Sequence, residues 1–104
     1  MDEFVYRGIL YELYGSILNK KQSRVYMLHI NDDLSFSEIG IELKITRQAA
    51  QNLFKVADLK LKRLDKELKL SKKFFEINKY ANDIQSKSKD KKIIALAKKI
   101  IKLT

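Results

Sequence analysis

The chain contains no proline and only three glycines in 104 residues, Gly8, Gly15 and Gly40. Tight turns and β-hairpins depend on these two residue types, because glycine supplies positive φ angles and proline presets the first turn position. Leucine, isoleucine and lysine dominate the sequence instead, and their order follows the spacing of amphipathic helices. We therefore expect an all-α fold of five to six helices.

The apolar pattern also predicts where most of these helices lie. Apolar residues share one arc over residues 5–17, and a first helix is expected there that ends after Gly15. A second helix is expected over residues 20–30, after the N-cap Asn19. After a break at residues 69–71, a fifth helix is expected up to about residue 84. Residues 86–92 are interpreted as a solvated linker, and a sixth helix is predicted over about residues 90–103.

Two N-cap residues in the middle of the chain indicate a helix-turn-helix motif. Ser35 and Thr46 are both favoured caps and stand eleven residues apart. They predict a third helix of about eight residues and a fourth of about twenty, joined only by Lys44 and Ile45. A small residue is needed where the two helices touch, and Gly40 meets this requirement. The alternative is an ordinary corner between two helices of a bundle, with no ligand.

The fourth helix would be the recognition helix of such a motif. Its predicted buried seam consists of apolar residues on one arc, Ala50, Leu53, Phe54, Ala57, Leu61, Leu64 and Leu68. Side chains opposite the seam are types that hydrogen-bond base edges or phosphates. The predicted nucleic-acid-binding residues are Lys44, Arg47, Gln48, Gln51, Asn52, Lys55, Lys62 and Lys66. The alternative interpretation of these residues is a solvated outer face.

The net charge of +9 is unevenly distributed. Residues 1–54 carry six basic against seven acidic residues, whereas residues 55–104 carry sixteen against six. Such a surplus attracts polyanions, nucleic acid above all, although an AT-rich genome also inflates the lysine content. We predict a helix-turn-helix domain over residues 1–70 and a basic helical extension over residues 71–104, packed on that domain or on a partner.

The composition excludes several classes of function. The chain has no cysteine, which excludes disulfides, thiolate metal sites and thiol nucleophiles, and its single histidine, His29, excludes histidine clusters. We expect no catalytic residue, no cofactor and no metal, because there is no glycine-rich phosphate loop and His29 has no identifiable acid or base partner. No apolar run is long enough to span a membrane and the N-terminus opens with acidic residues, so a cytoplasmic protein is expected.

Residues 11–70 resemble the YlxM family of small bacterial helix-turn-helix proteins. The family elements YGSLL, TxKQ, DDLSLxEIAxxxxxSRQAVxDxIKR and KLxL correspond here to residues 14–18, 19–22, 32–55 and 66–70. Ala50, Gln51 and Asn52 depart from the usual family residues, which makes this face less acidic. The motif is also similar to region four of bacterial sigma factors. The family is linked by gene neighbourhood to the signal recognition particle, and this implies association with the particle's RNA or its GTPase.

Three functions are open on the sequence alone. The first is an accessory factor of the signal recognition particle that binds structured RNA by shape and phosphate. The second is a DNA-binding transcriptional regulator, which would require a homodimer to read a palindromic operator. The third is a protein-interaction module whose sixth helix, half apolar and half lysine, docks on a partner or a membrane unless it folds back over helices one and five.

Overall fold

The computed structural model describes residues 2–104, and within them the chain forms six α-helices and no strand. The helices are α1 (Glu3–Tyr14), α2 (Lys20–Ile30), α3 (Phe36–Leu43), α4 (Arg47–Leu68), α5 (Leu70–Lys87) and α6 (Lys91–Lys102). A short 3-10 turn over Gly15–Ile17 follows α1. The prediction of an all-α fold is confirmed.

Side-chain caps explain where several helices begin. Asn19 and Gln22 form a reciprocal capping box at the start of α2, so both satisfy backbone N–H groups that have no partner within the helix. Ser35 and Glu38 repeat this arrangement at α3. The Thr46 hydroxyl accepts a hydrogen bond from the Ala49 backbone at 3.0 Å. The predicted starts of these three helices are therefore confirmed, each with a visible physical cause.

The chain separates into two compact units, Met1–Leu68 and Lys69–Thr104. In the first unit α4 packs against α1, α2 and α3. Its fully buried large side chains come from all four helices: Leu10, Val25, Tyr26, Ile39 and Leu61. The Tyr26 ring stacks on Phe54 with centroids 5.0 Å apart, in the middle of this core.

The second unit is an antiparallel pair of helices, α5 and α6, joined by Ser88–Asp90. Its most buried residues are the small Ala81 and Ala97, which are 2% and 1% exposed. The Asn78 side chain donates a hydrogen bond to the Thr104 hydroxyl at 2.8 Å, which ties the end of the chain to the middle of α5. Within residues 2–104, no helix has both the length and the apolar content to cross a membrane.

Two sequence predictions about the helices need correction. The predicted linker over residues 86–92 is reduced to Ser88–Asp90, because Asp90 caps α6 through its side chain and lets Lys91 and Lys92 enter the helix. The first helix ends at Tyr14, one residue before the predicted end after Gly15, and the rest of the apolar arc up to Ile17 forms the 3-10 turn. Lysines pointing to solvent are good helix formers, so a run without apolar residues does not by itself indicate a loop.

The predicted seam of α4 is also only partly right. Leu53 and Leu64 are half-buried and Leu68 is 48% exposed, although all three were expected inside. Asp58 and Asp65 are buried instead, each only 7% exposed. The buried arc of α4 is therefore rotated toward two carboxylates, and their partners explain why.

Candidate nucleic-acid interface

The turn between α3 and α4 has the close geometry of a helix-turn-helix. Lys44 ends α3 in a left-handed conformation, φ 58° and ψ 44°, and the Ile45 N–H donates to the Gly40 carbonyl at 2.9 Å. A methyl group at Gly40 would lie 2.8 Å from the Ile45 carbonyl oxygen. Gly40 therefore allows the two helix backbones to approach, as its position in the sequence predicted.

The predicted contact residues mostly lie on the side of α4 that faces solvent. Arg47, Gln48, Asn52, Lys55 and Lys66 are exposed, and so is Lys44 in the turn, while Gln51 is half-buried. The Gln48 amide donates to the Asn52 amide oxygen at 3.4 Å, so these two side chains share one surface. From Arg47 to Lys66 this surface runs for roughly 30 Å at 1.5 Å per residue.

Among the predicted contact residues, Lys62 is the one whose charge is paired with carboxylates. Its ammonium lies 2.7 Å from the Glu3 carboxylate and 3.2 Å from Asp58. The hydrogen bond to Glu3 raises the pKa of Lys62, with a smaller contribution from Asp58. Lys62 thus fastens α1 to α4, and a nucleic acid would have to compete with two carboxylates for it.

Asp58 is the centre of this attachment. Arg7 donates two hydrogen bonds to its carboxylate, at 3.0 and 3.2 Å, and the Tyr26 hydroxyl adds a third at 3.0 Å. Burial favours the neutral acid, but the hydrogen bonds from Arg7, Lys62 and Tyr26 outweigh it and keep the pKa of Asp58 below its usual value. The carboxylate is therefore ionised and tied to partners from α1 and α2.

Asp65 repeats the arrangement two turns further along α4. The Tyr6 hydroxyl donates to one carboxylate oxygen at 2.7 Å and the Tyr14 hydroxyl to the other at 2.8 Å. Burial and this acceptor raise the pKa of Tyr6 to about 12. Tyr6 and Tyr14 of α1 are thus hydrogen-bond donors that fix which face of α4 points outward.

Sequence reasoning missed one cation on that outward face. Arg63 is exposed, lies between Lys55 and Lys66 along the same side of α4, and has no carboxylate within 4 Å among residues 2–104. The helical wheel carried the signal, since Arg63 falls about 60° from both Gln48 and Lys66. Neutral Val56 and Leu59 separate these cations and are 46% and 63% exposed.

A second missed group lies at the start of α2. Lys20, Lys21 and Arg24 are exposed and, within residues 2–104, form no ion pair. They line a surface pocket of about 500 Å³ together with three apolar residues of the helix-turn-helix, Leu43, Ile45 and Leu53. The net charge of the first half of the chain is close to zero and therefore does not indicate this group, because the acidic residues that balance it lie elsewhere.

Acidic residues occupy the solvent side of α3. Glu38 and Glu42 are exposed, and the Glu38 carboxylate accepts a hydrogen bond from the Ser35 backbone at 3.0 Å. That bond and the Ser35 hydroxyl lower the pKa of Glu38. In helix-turn-helix complexes with duplex DNA, the helix before the recognition helix crosses the phosphate backbone. Here that helix presents negative charge.

His29 belongs to an aromatic cluster. Its ring stacks on Phe36 with centroids 4.5 Å apart and meets the edge of Phe54 at 4.7 Å. Its Nδ1 lies 2.9 Å from the Leu34 carbonyl oxygen. Within residues 2–104 no group of three histidine or acidic side chains is arranged to hold a metal ion.

Comparison with known proteins finds relatives over most of the chain. A UPF0122 protein of Clostridium acetobutylicum is 38% identical over 91 residues, which are 88% of this chain and 75% of the relative. One from Clostridium botulinum is 35% identical over 91 residues, or 84% of its length. One from Clostridium perfringens is 43% identical over 66 residues, which are 64% of this chain and 59% of that protein. No solved structure matches.

The family comparison covers nearly the whole chain. The matching family is described as "Putative helix-turn-helix protein, YlxM / p13 like", and its model aligns with residues 1–101. This range includes the Gly40 turn, the outward face of α4, all of α5 and all but the last residue of α6. The chain therefore belongs to the YlxM/p13-like UPF0122 family of helix-turn-helix proteins.

Proposed function

We propose that the chain binds nucleic acid with the outward face of α4 and the first turns of α2. The observation that carries this proposal is the separation of charges on α4. Its buried acids, Asp58 and Asp65, are held by hydrogen bonds from α1 and α2. The exposed cations Arg47, Lys55 and Lys66 have no carboxylate within 4 Å among residues 2–104. Unpaired cations in a row attract a phosphate backbone.

The interface we propose combines polar and basic side chains. Lys20, Lys21 and Arg24 would contact phosphates beside α4, and Gln48 with Asn52 would hydrogen-bond to the ligand. Arg63 joins the residues predicted from sequence, while Lys62 is assigned to holding α1. The proposed contact residues are Lys20, Lys21, Arg24, Lys44, Arg47, Gln48, Gln51, Asn52, Lys55, Arg63 and Lys66.

Structured RNA of the signal recognition particle is the ligand we propose, with the chain as an accessory factor of that particle and its GTPase as a second partner. The resemblance to the YlxM family supports this choice. The acids Glu38 and Glu42 also support it, because they would repel the phosphates that α3 crosses in a duplex DNA complex. RNA binding would follow shape and phosphate contacts, since the A-form major groove is too narrow for α4.

The test is a fluorescence-anisotropy titration of the full chain against labelled particle RNA and against mixed-sequence duplex DNA, over a series of salt concentrations. We expect tighter binding to the RNA and an affinity that falls steeply with salt. Neutralising Lys55, Arg63 and Lys66 to Gln should weaken binding and lower the salt slope by about two to three.

A matched control removes the same number of positive charges from the second unit. In this variant the exposed residues Lys72, Lys79 and Lys98 are each replaced by Gln. Equal losses in the two triple variants would mean that total charge, not the α4 face, governs binding, and would contradict the proposed interface. Tighter, sequence-dependent binding to duplex DNA by a homodimer would instead favour a transcriptional regulator. Addition of the particle GTPase to the RNA complex tests the second partner.

A further inference from the structure

The second unit leaves a row of large apolar side chains uncovered. On α5 these are Ile77, Tyr80 and Ile84, and on α6 they are Ile93, Leu96 and Ile100, with exposed fractions from 38% to 60%. The contact between the two helices is made around Ala81 and Ala97. Each helix therefore has a wider apolar surface than its neighbour covers.

The two uncovered rows form one face. At about 100° per residue, each row is centred roughly 70° from the buried alanine of its helix, in the same rotational sense. Because α5 and α6 run antiparallel, equal rotations in the same sense turn both rows to the same side of the pair. We call these six residues the hairpin face.

Charged residues border the hairpin face on both outer edges. On α6 these are Lys92 and Lys99, whereas on α5 Lys87 shares the edge with Glu76 and Asp83. Residues 69–104 contain eleven lysines against three acids, a surplus of eight positive charges. Among these residues no lysine has a carboxylate within 4 Å. Long lysine side chains bury their stems in apolar surroundings and extend their charge to the polar boundary.

We propose that the hairpin face docks on the surface of an anionic phospholipid bilayer, with α5 and α6 lying in the plane of the headgroups. An apolar face with a surplus of lysines around it is the pattern of interfacial helices, and each lysine near an anionic surface adds attraction. A second copy of the chain is a poorer occupant, because its own eight surplus positive charges would be brought against the first. The lipid surface matches both the apolar area and the sign of the charge.

The test uses the full chain and vesicles of phosphatidylcholine with and without phosphatidylglycerol, in a flotation assay at several salt concentrations. We expect binding only to the anionic vesicles, weakened by salt. The double variant Leu96→Ser and Ile100→Ser should bind about tenfold more weakly, because it removes apolar area from the face. Its far-ultraviolet circular dichroism should be unchanged, since both side chains are partly exposed.

A single tryptophan identifies the surface that meets the lipid, because the natural chain contains none. Tyr80→Trp should give a blue-shifted emission with anionic vesicles. Ile41→Trp, at a residue of α3 that is 82% exposed, should give none and is the matched control. Binding without a shift at Tyr80, unchanged binding of the Leu96/Ile100 variant, or a dimer in solution that this variant abolishes would each overturn the proposal.

Discussion

The two units use similar helices in opposite ways. The first buries large side chains from four helices and pairs the charges that it buries, and residues 1–68 carry a net charge of only +1. The second buries two alanines, keeps its large apolar residues partly exposed and carries +8. The difference shows that amphipathic periodicity predicts a helix. The periodicity does not say whether the apolar side of that helix is covered by other residues of the same chain.

Truncation of a core leucine should give the largest loss of stability, and this loss should be confined to the first unit. Leu61 is fully buried, so Leu61→Ala loses transfer free energy and leaves a cavity, at a cost of about 3 to 4 kcal/mol. Urea unfolding followed by near-ultraviolet circular dichroism reports this, because four of the five tyrosines lie in residues 1–68.

The matched change in the second unit is Leu96→Ala, at a side chain that is 60% exposed. We expect a change of about 0.5 kcal/mol or less, measured by amide hydrogen exchange over residues 69–104. Similar losses at Leu61 and Leu96 would contradict the contrast between a filled core and an open face.

A methyl group at Gly40 should test the close turn of the first unit. Gly40→Ala places a carbon 2.8 Å from the Ile45 carbonyl oxygen, and backbone cannot move aside as a flexible side chain can. We expect a loss of about 2 to 3 kcal/mol in urea unfolding. Gly8→Ala is the control, because a methyl group there meets no atom within 4 Å and should stabilise α1 by about 0.5 to 1 kcal/mol. A harmless Gly40→Ala would mean that the helices need no close approach.

The paired charges of the first unit predict a dependence of stability on pH. Asp58 has a lowered pKa in the folded state, so its contribution is present above its unfolded pKa of about 3.9 and is lost as the pH falls through the folded value. Asp58→Asn should cost about 2 kcal/mol at neutral pH, since Arg7 and Lys62 lose an ionised partner.

The measurement is urea unfolding at neutral pH and at a series of acidic values. The difference between the natural chain and the variant should begin to shrink below the unfolded pKa of about 3.9 and should vanish only below the lower folded pKa of Asp58, where the carboxylate is protonated in both states. Exposed Asp32→Asn is the control for the loss of one carboxylate and should change the stability at neutral pH by no more than about 0.5 kcal/mol. A constant difference at all pH values would contradict a role for the ionised carboxylate.

These residues also show what a sequence pattern can and cannot predict. The caps at Asn19, Ser35 and Thr46 act on backbone within three residues, so local reasoning placed α2, α3 and α4 correctly. The partners that α1 and α2 bring to Asp58 and Asp65 lie 32 to 59 residues away, and a hydropathy pattern assigns such carboxylates to solvent. Local signals are therefore sufficient for helix boundaries, whereas the pairing of buried charges depends on the tertiary arrangement.

The same limit applies to the candidate interface. The sequence predicted Arg47, Gln48 and Asn52 on one outward arc, and the structure places them there. It could not separate Lys62, which is tied to Glu3, from Arg63, which is unpaired, because the two are neighbours in a basic run. Which cations are free for a ligand is decided by the acids that other helices bring to them.

A smaller effect than at Asp58 is expected at Lys44, where stability and the proposed binding should change in opposite directions. A left-handed conformation costs a residue with a Cβ atom about 1 kcal/mol relative to glycine, so Lys44→Gly should stabilise the first unit by that amount. The same variant should bind nucleic acid more weakly, with a salt slope lower by about one, because one phosphate contact is lost. Lys69→Gly has the same backbone angle outside the helix-turn-helix and should change stability alone. Equal binding by the two variants would exclude Lys44 from the interface and leave its charge without a part in recognition.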